Sequence, residues 1–280
     1  MKLAVTLTTP EVPRAVPVAL FAGSFPERLA KAAQWGYAGV ELMVRDPTEL
    51  DAGAIGRAIR EAGLQVAAIG TGAQFLVDGL TLVSADAGAE QKAFERFCAL
   101  ADFAAAVGAP LVTIGSFRGR LGQAGEGARQ RLIARLRDCA EYAGRRGLRV
   151  ALEPLNRYEA DFIHTAAEGM ALVEEIAHPA FGLLLDTFHM NIEEASVRRA
   201  VHTAAPRLWH VHLGDSNRLP PGKGHFAFGR MLRALVEVGY DRFLSAELLA
   251  QPDPDTAGIQ TALAMRRLMC RYAGGERGAS

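Results

Sequence analysis

The 280-residue sequence predicts a single α/β domain, a (β/α)8 TIM barrel. Three observations lead there. Short apolar runs alternate with amphipathic stretches, a glycine precedes five of those runs at a similar offset, and four ligand-type side chains close four consecutive runs. The glycines are Gly36 before GVEL, Gly63 before VAAI, Gly108 before LVTI, Gly147 before RVALE and Gly239 before RFLSAE. Glycine adopts the left-handed conformation that ends a helix without a Cβ clash, so the repeated unit reads as helix, glycine, short loop, buried strand.

Taken in order, the predicted strands are Leu3 to Thr8, Val40 to Val44, Val66 to Gly70, Leu111 to Gly115, Arg149 to Glu153, Phe181 to Asp186, Leu208 to His212 and Phe243 to Glu247. Helical periodicity fills the intervals, notably Glu90 to Val107 and Gln130 to Arg146, and Thr165 with Glu168 forms a capping box for the helix running toward Ile176. No linker divides the chain, so residues 1–273 read as one catalytic domain and 274–280 as a frayed tail. Three loops at the strand C-terminal ends are long: Thr9 to Phe25, Gly70 to Gly88 and Asp215 to Phe228. In the first, Leu20, Phe21 and Phe25 either cover the mouth or pack into the barrel rim.

Composition narrows the partners. Lys plus Arg equals Asp plus Glu at 31 each, and the basic doublets lack interleaved aromatics, so nucleic acid is not expected. The doublets at Arg145, Arg146 and at Arg198, Arg199 read as solvated helix faces. Cys98, Cys139 and Cys270 are odd in number and widely spaced, which suits small core residues in a reducing cytosol better than a disulfide framework. The LAVTL run after Lys2 is too brief for a signal segment and no span reaches membrane length, so a soluble cytoplasmic protein is expected.

The chemistry concentrates at Glu153, Asp186, His212 and Glu247. Their separations of 33, 26 and 35 residues each suit one strand, loop, helix and return, which brings four strand ends to one mouth. Three carboxylates and an imidazole make a hard, mostly oxygen donor set, suited to Mn²⁺, Mg²⁺ or Co²⁺ with open positions rather than to structural zinc. Glu153 and Glu247 end strands five and eight and so face each other across the mouth. A chelated α-hydroxyketone between them would offer one face of its C–H carbon to each carboxylate, and deprotonation by one with reprotonation by the other inverts that carbon. One carboxylate doing both steps would transfer hydrogen between neighbouring carbons instead. His189, Glu159 and Arg218 lie nearby in sequence as substrate contacts, Arg218 being also readable as a solvated loop charge. Glu41 reads as a salt bridge or water contact in the mouth, or as a further metal ligand.

At these residues the sequence resembles the sugar phosphate isomerase/epimerase superfamily of xylose isomerase-like barrels, and within it the D-tagatose 3-epimerase group. The strings EPLNRYE, LDTFHMNIEE and HLGDSNRLPPGKGH carry the likeness. The resemblance implies that Glu153, Asp186, His212 and Glu247 hold the metal, that the two glutamates are also the proton-transfer pair, and that Glu159, His189 and Arg218 bind substrate. It implies a homodimer or homotetramer as well. The first half is similar to the 5-keto-L-gluconate epimerases in VRDP (Val44 to Pro47), IGTGAQFLVDGL (Ile69 to Leu80) and RGR (Arg118 to Arg120). A keto-hexuronate needs a cationic partner, and Arg45 and Arg118, just past strands two and four, are expected to supply it. Leu248 stands where neutral-ketose epimerases tend to carry proline.

Three rival readings share the barrel. An aldose/ketose or hydroxypyruvate isomerase, or an inosose-type dehydratase, would use the same enolising site. An endonuclease IV-like phosphodiesterase would need extra histidines at strand ends three and four, where Thr71 and Ser116 stand. A sugar-binding barrel without catalysis would not require both glutamates.

Overall fold

The computed structural model describes residues 1–13 and 16–272. In chain order the elements are β1 (Lys2–Thr8), α1 (Phe25–Gln34), β2 (Gly39–Met43), α2 (Ala52–Glu61), β3 (Gln65–Gly70), α3 (Gly72–Asp78), α4 (Ala87–Val107), β4 (Leu111–Ile114), α5 (Ala128–Gly144), β5 (Arg149–Leu152), α6 (Ala166–Ile176), β6 (Phe181–Asp186), α7 (Thr187–Glu193), α8 (Val197–Ala204), β7 (Leu208–Leu213), α9 (Phe228–Glu237), β8 (Phe243–Ala246) and α10 (Pro254–Tyr272). The eight strands pair in parallel and in sequence order, and β8 closes on β1 through Lys2↔Phe243 to Val5↔Ala246. The result is a closed (β/α)8 barrel.

Each predicted strand is present, with no end displaced by more than one residue. The five glycines all take positive φ, between +70° and +78° at Gly36, Gly63, Gly108, Gly147 and Gly239, where a Cβ would be strained. The capping box forms as expected: Glu168 donates its backbone N–H to Thr165 Oγ1 at 3.2 Å, and Thr165 N–H reaches Glu168 Oε2 at 3.1 Å. β2 and β6 are buried along their whole length because the barrel interior covers one face and the helices the other. The expected frayed tail lies outside the described residues. Among those described, no helix is long and apolar enough to cross a membrane.

Two expectations change, and one alternative left open is decided. Gly70 to Gly88 is not an open loop, since seven of its residues form α3, ended by Gly79 at φ +66°. Leu20, Phe21 and Phe25 go into the core, with Phe21 edge-on to Tyr37 at 6.0 Å; among the described residues of that loop, Pro17 and Val18 line the mouth. Cys139 is a core residue and Cys98 is half-buried, but Cys270 is exposed on α10.

Side-chain alternation places the site. Along a strand, residues two apart share a face, so Ala151 lies below Glu153 and Leu184 below Asp186 inside the barrel. With Ala68 and Leu111 they form a small apolar layer that floors the ligand group.

Candidate active site

Glu153, Asp186, His212 and Glu247 converge. Each offers a ligand atom within 4.8 Å of the others, and all four are buried. Glu153 and Glu247 sit one residue past the assigned ends of β5 and β8, yet each backbone N–H still bonds the neighbouring strand, to Ile114 O at 3.0 Å and Leu213 O at 3.2 Å. That continued pairing fixes where their side chains leave the barrel. Gly115 clears the space for Glu153: a Cβ there would lie 2.6 Å from Glu153 Oε2.

Asp186 divides its two oxygens. Oδ1 accepts the Phe188 N–H at 2.6 Å and so starts α7, while Oδ2 is buried without a hydrogen-bond partner. His212 divides its two nitrogens likewise. Nε2 lies 3.0 Å and 3.1 Å from the Glu41 carboxylate oxygens, leaving Nδ1 facing Glu153 Oε1 at 3.5 Å and Glu247 Oε2 at 3.3 Å. Nδ1 and Glu153 Oε1 also lack a hydrogen-bonded partner. Polar atoms buried this way cost free energy unless something binds them. Unpartnered donor atoms of three residues aimed at one point, in a set of three carboxylates and an imidazole, fit a hard divalent cation.

Charge is unevenly distributed over the group. Burial raises the Glu153 carboxyl above its ordinary range, and burial followed by the Glu153 charge pushes Asp186 up to about 8. Burial acts the same way on Glu247, but the His212 and Arg218 charges outweigh it and hold that carboxyl at about 2.

The structure gives Glu41 the role of orienting His212. Its carboxylate, 2% exposed, also bonds His210 Nε2 at 2.8 Å, two residues below His212 on the inner face of β7. The sequence reading did not single out His210, although its period-two relation to His212 was visible in LWHVH. A carboxylate on the far nitrogen fixes which imidazole nitrogen faces the ligand group. Glu41→Gln is expected to weaken Mn²⁺ binding about 10–100-fold, as measured by calorimetric titration of the chelator-stripped protein.

His189, on α7, is buried and neutral, because burial and then the Arg218 charge lower its imidazole to about 3. Asn156 Nδ2 donates to Nδ1 at 2.7 Å, so the proton resides on Nε2, which is buried, unpartnered and 3.8 Å from Glu153 Oε1. Arg218 also joins the site, its Nη2 3.3 Å from Glu247 Oε2 and Nη1 3.5 Å from Glu159 Oε1. Its backbone is left-handed at φ +60°, an unusual conformation for a non-glycine residue. The loop holds it there through Asp215, whose carboxylate accepts the N–H groups of Ser216, Gly222 and Phe226 at 2.7–2.9 Å. Asp215 was visible in sequence only as a loop boundary.

Arg45 and Arg118, expected to meet a sugar carboxylate, are engaged by partners within the protein. Arg45 pairs with Asp78 at 2.9 Å and Glu49 at 3.2 Å, outside the mouth, tying the β2–α2 loop to the end of α3. Arg118 is 1% exposed and donates to the backbone carbonyls of Glu153, Phe162 and Ile163. Its Nη1 and Nη2 thereby fasten the loop that carries Glu153, while Nε is buried without a hydrogen-bond partner.

Above the ligands lies a cavity of about 180 Å³, walled by Glu153, His212, Glu247, Glu159, Arg218 and, from the first loop and α3, Val18 and Phe75. Thr71 and Ser116, also on its wall, take the places where a multi-zinc phosphodiesterase would need histidines.

Comparison with known proteins agrees with this picture. An L-ribulose 3-epimerase of Methylomonas sp. (strain DH-1) is 31% identical over 219 residues, 76% of this chain and 74% of that protein. A D-psicose 3-epimerase of Agrobacterium fabrum is 40% identical over 119 residues, a stretch of 42% of this chain and 40% of that protein. A crystal structure of D-psicose 3-epimerase in the presence of D-fructose superposes with a TM-score of 0.81, covering 98% of this chain and 100% of that one at 23% identity, a likeness of fold. These relatives are isomerase-class enzymes. The model of the xylose isomerase-like TIM barrel family matches residues 29–268, a span that holds all four ligand-type side chains. The chain is therefore an isomerase-class enzyme and belongs to the xylose isomerase-like TIM barrel family.

Proposed function

We propose that the barrel mouth inverts the carbon next to the ketone of a ketose or keto-sugar acid, removing a proton from one face and returning one to the other. The observation that carries this reading is the convergence of Glu153 and Glu247, from β5 and β8, on one group of ligand atoms within 4.8 Å. Two carboxylates from separate strands can each address one face of a carbon held between them. Neither needs to move far, which keeps proton transfer within hydrogen-bond reach.

Glu153, Asp186, His212 and Glu247 would hold a divalent cation, Mn²⁺ favoured over Mg²⁺ or Co²⁺, whose Lewis acidity would polarise the ketone and ease enediolate formation by several kcal/mol. The protein's own groups supply the remainder. One glutamate takes the proton from the C–H carbon, and the other returns a proton on the opposite face; the roles exchange with direction. His189 Nε2–H, neutral and already oriented by Asn156, donates to an oxygen of the sugar as charge grows there. Arg218 adds a fixed positive charge, and Glu159, with Asn156 Nδ2 bonded to it at 3.1 Å, presents an acceptor for a sugar hydroxyl.

The likeness of the first half to 5-keto-L-gluconate epimerases favours a keto-hexuronate. Turnover with Mn²⁺ in D₂O tests the reaction class across ketohexoses and ketohexuronates. Deuterium is expected on the inverted carbon with the carbonyl unmoved. Migration of the carbonyl would mark an aldose/ketose or hydroxypyruvate isomerase, loss of water a dehydratase, and either would displace this reading.

A further inference from the structure

We infer that a second cavity beside the ligand group receives an anionic end of the sugar, a carboxylate or a phosphate, with Arg120 as its counter-ion. This rests on the epimerase reading above and extends it to the far end of the substrate.

The cavity over the ligands, about 180 Å³, falls below the roughly 300 Å³ at which small-molecule pockets usually begin. Its neighbour measures about 370 Å³, and Phe75, Ser116, Leu155 and Glu159 face both. Four shared walls place the two side by side along the mouth, so a sugar with its ketone over the ligands extends into the second space. Glu159 lies at the junction. Its bonds to Asn156 and Arg218 offset its charge and leave it suited to a hydroxyl of the middle of the chain.

Two arginines line the second cavity. Arg118 is committed to three carbonyls, as described. Among the described residues the Arg120 guanidinium makes one hydrogen bond, Nη2 to Tyr158 O at 3.0 Å, and no carboxylate lies within ion-pair distance of it. A guanidinium has five N–H donors in a fork matched to carboxylate and phosphate oxygens. Most of that capacity at Arg120 is unspent, and Gln123 and Ser116 add an amide and a hydroxyl on the same walls. The cavity thus holds an available planar cation with polar neighbours, which is the chemistry of an anion subsite.

The test compares kcat/KM for a ketohexose, the matching ketohexuronate and the matching ketohexose 6-phosphate, in the Mn²⁺ enzyme and in Arg120→Ala and Arg120→Lys. Arg120→Ala is expected to lower the anionic-to-neutral ratio of kcat/KM about 10–100-fold, chiefly through KM, with partial recovery in Arg120→Lys. The anion whose ratio falls further identifies carboxylate or phosphate as the occupant. An unchanged ratio, or turnover of neutral sugars with none of either anionic sugar, overturns the inference and leaves epimerisation standing. No turnover of any sugar with Mn²⁺ bound takes both down.

Discussion

Glu153→Gln and Glu247→Gln are each expected to slow epimerisation by about 10²–10⁴-fold, the usual contribution of a positioned acid or base. The more telling result is their asymmetry. Each variant keeps a carboxylate on only one face of the substrate carbon, so each should exchange solvent deuterium into one epimer and leave the other unlabelled. The two variants should choose opposite epimers. Both residues are also ligand candidates, and an amide is a poorer donor than a carboxylate, so Mn²⁺ occupancy is measured alongside and kept saturating. Labelling of both epimers by either variant would show one residual base serving both faces. The two-sided mechanism would then be wrong, although the metal group could remain intact. The same experiment separates catalysis from mere binding, because a sugar-binding barrel would exchange nothing in any form.

Mn²⁺ uptake is expected to tighten as pH rises toward about 8, by about tenfold per pH unit for each proton displaced. Asp186 is pushed up to about 8 by burial and then by Glu153, so at neutral pH the metal-free site carries a proton that the cation must expel. Titration calorimetry in buffers of different ionisation heat counts that proton. The effect on folding has a definite sign. For a carboxyl raised above its ordinary 3.8, the proton bound in the folded state contributes stability that is fully present below 3.8 and lost as pH rises through about 8. Stripping the metal with a chelator should therefore lower the unfolding midpoint more at about pH 8.5 than at about pH 6, since above 8 the crowded carboxylates stand charged and unpaired. An affinity flat across this range would mean that Asp186 is already ionised in the metal-free protein.

The barrel and its four ligand-type residues were legible because both depend on short-range rules. A C′ glycine, a capping box and a buried run are written in adjacent residues, and one strand–loop–helix unit between successive ligand-type residues of a (β/α)8 chain brings strand ends to one mouth. The helices α3 and α7 were not legible as helices, since seven residues are too few to display a 3.6-residue period. Missing α7 concealed how His189 turns back onto Glu153 from three residues beyond Asp186.

The arginines separate the two kinds of knowledge most clearly. Sequence alone determined that guanidinium groups follow strands two and four, and the motif RGR was in view. It could not determine which of them was spent. Arg118 lies among carbonyls of a loop some forty residues away, Arg45 is paired with Asp78 across a sequence gap of 33, and Arg120, two residues from Arg118, faces a cavity. In the same way, Glu41 and His210 are 169 residues apart and meet only because the barrel closes. The sequence by itself determined the fold and the donor set, through local propensity and regular spacing. Tertiary structure decided orientation, tautomer and which charges stay available, because hydrogen bonds are satisfied by whichever partner the closed barrel brings within about 3 Å, irrespective of distance along the chain.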